Sequence, residues 1–267
     1  MMSWYRHLVA LGCIGAAGWM AGCTSSASAT GEDGDTGGAE DGALPGSCAR
    51  AMPAALTTCM RDFATGLANC YEAGAGACGV DAADDVLDAL EASVLDACAD
   101  EGAFGLDASA LAGRLANACA SETSALAWRG YGGPQGDPWS GLPEDTRACL
   151  GGIAFSGVVG IEAGLGRLDS CAAAGDCSAE TLNAARDDVF AAVDAGLTDG
   201  CGGTILVATI AIDEDTYKTR AADQMECLAA VAIPDLDGLT LNCGPSNADF
   251  TAPRGEWTQV VVDGEKW

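Results

Sequence analysis

Apolar residues run without a charge from Leu8 to Ala21, vanish almost entirely between Thr24 and Ser47, and return from Cys48 onward in a helical rhythm. The first run is too short to span a bilayer and reads as a leader. From Cys48 to Ala73 the chain is apolar and Ala-rich. Cys48, Cys59 and Cys70 recur every eleven residues, close to three helical turns, so all three share one stripe. A second helix is predicted from near Asp81 or Asp84, with Val86, Leu87, Leu90, Val94 and Leu95 as its apolar face. A third starts at an Asp107 cap and runs through Leu111 and Leu115 to Cys119.

The pattern then repeats. Cys48 to Cys70 spans 22 residues, and so does Cys149 to Cys171. Asp84-Asp85-Val86 returns as Asp187-Asp188-Val189, with the second Asp 13 residues before Cys98 in one copy and Cys201 in the other. The third helix of the second copy is expected to start at an Asp215 cap, which precedes Cys227 by twelve as Asp107 precedes Cys119. The expected fold is all-α: two disulfide-stapled three-helix units in tandem, with a short extended tail. The boundaries expected are a leader over 1–22, a linker over 23–47, unit 1 over 48–120, a Gly/Pro/aromatic connector over 121–146, unit 2 over 147–245 and a tail over 246–267.

Two segments fit less well. Leu150–Gly166 holds six glycines, each costing a helix up to about 1 kcal/mol against Ala. It is short for a membrane span and reads as a buried helix. Thr204–Ile212 is β-branched and could be strand or helix.

Composition narrows function. Twelve Lys+Arg against 39 Asp+Glu give a net charge of −27, which makes nucleic acid and anionic membrane surfaces poor partners. Met20-Ala21-Gly22-Cys23 resembles the bacterial lipoprotein signal, in which small residues precede a cysteine that becomes lipid-modified. The resemblance implies cleavage before Cys23, lipidation of Cys23, and, with Thr24 following, anchoring to an outer membrane on its periplasmic or cell-surface face. Cleavage would also remove His7, the sole histidine. That would exclude a Ser-His-Asp or Cys-His centre, an imidazole zinc site and a His general base. Thr24–Ser47, with five acids and no base, reads as a flexible tether of about 25–30 Å. Asp33 and Asp35 lack the Glu that a calcium loop needs at its twelfth position, where Leu44 stands.

Setting Cys13 and Cys23 aside, twelve cysteines remain, an even number with no CxxC, as expected of disulfides in an exported protein. Helix lengths predict their pairing. With three helices running up, down and up, Cys48 meets Cys98 and Cys70 meets Cys78 across the first turn. Cys59 and Cys119 lie at nearly equal heights, about 16.5 and 18 Å from that end. The second unit repeats 149–201 and 171–177. Gly160 stands where Cys59 would align, which leaves Cys227 to pair with Cys243.

Candidate chemistry is sparse. Asp84-Asp85 and Asp187-Asp188 are expected at helix starts, since neighbours on a helix point about 100° apart and do not converge. Asp213-Glu214-Asp215 reads likewise. Trp128, Tyr131 and Trp139 could stack on a glycan or protein ligand, or fill the seam between the units, which is the preferred reading. No cofactor, metal or catalytic residue is expected. Glu256–Gly264 (EWTQVVVDG) reads as a strand and turn, and weakly resembles the entry strand of bacterial pectin acetylesterase-family hydrolases. That resemblance would make the chain the accessory region of a carbohydrate esterase whose catalytic domain is absent. The family's glycine-rich oxyanion segment and its nucleophilic Ser, Asp and His have no counterparts here. The leading expectation is therefore a non-catalytic, membrane-tethered binding or spacer module.

Overall fold

Six α-helices make up most of the structure, a computed structural model that describes residues 46–73, 78–131, 141–200, 213–236 and 238–242. They are α1 (Ser47–Glu72), α2 (Asp84–Ala97), α3 (Ala108–Tyr131), α4 (Glu144–Ala174), α5 (Ala179–Gly200) and α6 (Glu214–Ala232). A 3₁₀ turn over Val80–Ala83 leads into α2. No strand occurs among the described residues; the closest approach is one isolated bridge between Ala103 and Leu106. The fold is all-α.

Local chemistry explains where the helices begin and end. Asp107 accepts a hydrogen bond from the Ala110 amide at 2.8 Å, capping α3 where expected. The cap of α6 is Asp213, which accepts from the Thr216 amide at 2.7 Å; Asp215 sits inside the first turn instead. The Thr216 bond holds the Asp213 carboxyl below its ordinary value. At the far end of α4, Gly175 adopts a left-handed φ of 67°. Its amide and that of Asp176 close the helix onto Ala172 and Cys171, the geometry that favours glycine.

The start of α1 has no cap of its own. Glu101, from the turn after α2, supplies one: its carboxylate accepts from the Cys48 amide at 2.6 Å and the Ser47 hydroxyl at 2.9 Å. Those bonds hold the Glu101 carboxyl below its ordinary 4.5. A lowered folded value means that Glu101 contributes stability above about pH 4.5, and that the contribution is lost as pH falls through the folded value. Glu101→Gln should accordingly flatten the acid limb of the stability profile as pH falls below about 4.5. Chemical denaturation across that range would show it, and an unchanged limb would refute the cap.

The connector expected over 121–146 is shorter than that. Ser121–Ala127 continues α3, which runs to Tyr131 with no Gly or Pro to stop it before Gly130. The Asp187-Asp188 pair is also not at a helix start. The turn after Cys171 is short, and Ser178 accepts from the Thr181 amide, so α5 begins at Ala179 and the pair lies within it. Asp84 and Asp85 do open α2.

All six helices share one contiguous core rather than two separate ones, and all described residues fall within one compact unit, Gly42–Trp267. Phe63, Leu87, Leu115, Leu126, Ile153, Val189 and Tyr217 are among its members. With Cys149 aligned on Cys48, the buried positions of α1 recur in α4: Met52 as Ile153, Leu56 as Gly157, Cys59 as Gly160, Met60 as Ile161, Phe63 as Gly164 and Leu67 as Leu168. The glycine-rich α4 is long and apolar enough to cross a membrane by length and composition, yet most of that stretch is buried within the fold. Its glycines admit close neighbours, backbone in one case and a side chain in another. A Cβ on Gly160 would lie 3.0 Å from the Val189 backbone of α5, and one on Gly157 would lie 2.9 Å from the Tyr217 hydroxyl of α6.

Both third helices are enclosed. From Ala116 to Ala127 in α3, and from Ala221 to Ala232 in α6, every residue is buried except the half-buried Ser121 and Ala230.

Candidate functional site

Four disulfides are described: Cys48–Cys98, Cys59–Cys119, Cys70–Cys78 and Cys171–Cys177. Each is a pair that the helix lengths predict. Cys149 and Cys227 are also disulfide-bonded, and their expected partners, Cys201 and Cys243, lie outside the described residues. Disulfides at this density belong to an oxidising compartment beyond the cytoplasm.

Of the other singled-out residues, Trp128 and Tyr131 place their backbones in the last turns of α3, and Trp139 lies outside the described residues. So do Cys23, Thr204–Ile212 and the Glu256–Gly264 segment behind the esterase resemblance.

The densest polar chemistry sits between α5 and α6, a cluster that sequence reasoning missed. Arg186 Nη1 contacts Asp223 Oδ1 at 3.2 Å and also bonds Glu226 Oε1. Asp223 and Glu226, one turn apart on α6, are 8% and 2% exposed, so neither carboxylate could stay charged there without a partner. Asn242 closes the cluster from beyond the helix: its amide donates to Glu226 Oε2 at 2.5 Å and its side chain to Asp223 Oδ1 at 3.3 Å. Burial opposes the charge on Arg186, but the bonds from Glu226 and Asp223 outweigh it and raise the guanidinium above its ordinary value. The i, i+3 spacing of the two acids was the only trace of this site in the sequence. Its Arg comes from another helix, and nothing local announces it.

A groove of about 600 Å³ opens on the outer side of α4 and α5, beside the Cys171–Cys177 bridge. Arg167 spans one wall and grips Asp188 with two bonds, 2.6 Å from Nε and 3.1 Å from Nη2. That grip raises the Arg167 guanidinium above its ordinary value. Ser170 in the same wall donates back to the Gly166 carbonyl at 2.7 Å, and Thr181 shares a contact with Ser178. These groups satisfy one another, so the groove presents a wide, shallow and mostly self-satisfied surface. On the far side of α5, Lys218 from α6 bridges Asp194 and its own Glu214.

Chemically, these arrangements hold helices together. In each, a base is held by one or two carboxylates, and no nucleophile stands against a base. Among the described residues, no group of three or more His, Cys, Asp or Glu is placed to hold a metal ion. The twelve bases of the chain face 39 acids, and Arg61, Arg167, Arg186 and Lys218 are each committed to a carboxylate. No family model, no curated protein and no solved structure matches this chain.

Proposed function

We propose that the chain is an exported lipoprotein, anchored through Cys23 to an outer membrane, whose disulfide-stapled helical body acts as a non-catalytic binding or spacer module. The disulfide framework supports this reading most directly. Bridges join the start of α1 to the end of α2 and the middle of α1 to the middle of α3, a design for durability outside the cell rather than for motion. The sequence supplies the tether: the Met20-Ala21-Gly22-Cys23 motif, followed by an acidic Gly/Ser-rich linker. The ligand chemistry that suits such a body is a glycan or a protein surface met by polar and aromatic contacts, with nucleic acid disfavoured by the charge of −27.

Fractionation tests the tether and turnover tests the absence of catalysis. The wild-type chain should partition with membranes and carry a diacylglyceryl-sized mass on Cys23, while Cys23→Ala should be released as soluble protein. Neither form should hydrolyse ester, glycoside or peptide substrates above background. Membrane retention of a processed Cys23→Ala protein would overturn the anchor, and hydrolysis abolished by a single substitution would overturn the non-catalytic reading.

A further inference from the structure

We infer that residues 47–131 and 144–232 meet as an intramolecular dimer about a pseudo-two-fold axis, and that the Arg61–Glu162 ion pair lies on that axis and selects the pairing of unlike units. The register is the first argument. Arg61 of α1 and Glu162 of α4 bond across the two helices, and they are 101 residues apart. Cys48 and Cys149 are also 101 apart, so Arg61 and Glu162 occupy the same position of their respective copies. A two-fold axis passing between two units brings equivalent residues face to face in this way. A stack of repeats related by translation can also align like positions, but its equivalent helices run parallel and its cross contacts run in one sense only.

The packing between helices has the same reciprocity. Equivalent helices meet, α1 on α4 and α3 on α6, and the cross pairs come in both senses, α1 on α6 and α3 on α4. The second helices pack chiefly within their own copy, α2 on α1 and α3, α5 on α4 and α6. Side-chain bonds between the third helices follow suit. Arg114 donates to the Ala230 carbonyl at 3.3 Å, and Gln224 donates to Glu122 Oε2 at 2.6 Å. With Cys227 aligned on Cys119, Ala230 is the counterpart of Glu122, and Gln224 is the counterpart of Ala116. The two bonds therefore exchange under the axis with a slip of two residues. The caps carry the same slip: Asp213 stands two residues further from Cys227 than Asp107 does from Cys119.

The charges on the axis complete the argument. Pairing unit 1 with another unit 1 would set Arg61 against Arg61, and pairing unit 2 with unit 2 would set Glu162 against Glu162. Only the mixed pair places opposite charges together, which disfavours like-with-like association between chains as well as favouring the native fold. The partner that this surface fits is a three-helix unit of the same kind.

Charge exchange in the full chain tests the specificity. Arg61→Glu and Glu162→Arg alone should each raise the unfolding equilibrium constant about two- to fivefold, as expected for an exposed pair turned to like charge. The double exchange should return it to the wild-type value. Additive losses in the double variant would overturn the axial pairing. An experimental structure of the wild-type chain tests the symmetry without any variant. Superposing α1, α2 and α3 on α4, α5 and α6 should require a rotation near 180° with little shift along the axis. A shift of about one helix spacing, 8–10 Å, would mean stacking and would overturn the inference.

Discussion

Gly160→Leu should destabilise the protein by about 3 kcal/mol or more, whereas Gly166→Ala, six residues along the same helix, should stabilise it by up to about 1 kcal/mol. The opposite signs follow from what each new side chain would meet. At Gly160 even a Cβ would lie 3.0 Å from the Val189 Cα and carbonyl oxygen, and 3.2 Å from the Ala192 methyl. Backbone cannot swing aside as a long side chain can, so α4 and α5 would have to separate along this close contact. At Gly166 nothing lies within 4 Å, and the position is exposed, so alanine supplies only its better helix propensity. Guanidinium denaturation followed by helical circular dichroism would measure both. Equal midpoints for the two variants would mean that the close approach of α4 and α5 is wrong.

Removing the Cys59–Cys119 bridge by paired alanine substitution should cost about 4 kcal/mol, against about 2.5 kcal/mol for the Cys70–Cys78 bridge. The difference comes from the unfolded chain. The first bridge joins residues 60 apart and the second only 8 apart, so the first removes far more freedom when the protein unfolds. Packing widens the gap, since Cys59 and Cys119 are 2% and 0% exposed at the centre of α1 and α3, and their loss opens space in the core. Denaturation of both paired variants in the absence of reductant decides the order. A larger loss for Cys70–Cys78 would show that loop length does not govern these bridges.

These contrasts indicate which parts of the architecture local sequence carries. The rise of a helix is a fixed length, so cysteine spacing along α1 was enough to place Cys59 opposite Cys119 and Cys48 opposite Cys98. The Asp107 cap was legible because a cap is a contact between residues three apart. In the sequence Gly160 marks only a missing cysteine, whereas in the fold it lets the α5 backbone at Val189 approach α4 closely. That meaning depends on which helix lies opposite, and no residue near Gly160 states it. Asp187-Asp188 differs from its expected place at a helix start for a related reason. The same three residues that open α2 fall inside α5 because the preceding turn is shorter in the second copy. The Arg186 cluster escaped notice because its members come from α5, α6 and the segment beyond α6. The sharing of one core escaped notice too, since each copy alone has enough apolar residues to look self-sufficient.

The enclosure of α3 and α6 bears on how such a protein can change over generations. A helix with an outer face offers positions where substitutions go unpunished, but from Ala116 to Ala127 and from Ala221 to Ala232 almost no such position exists. Drift is therefore channelled onto the outward sides of α1, α2, α4 and α5, where Thr58, Leu95, Phe155 and Ala191 face solvent. Two descendants of this chain could come to share little more than their cysteines and the small residues of two buried helices.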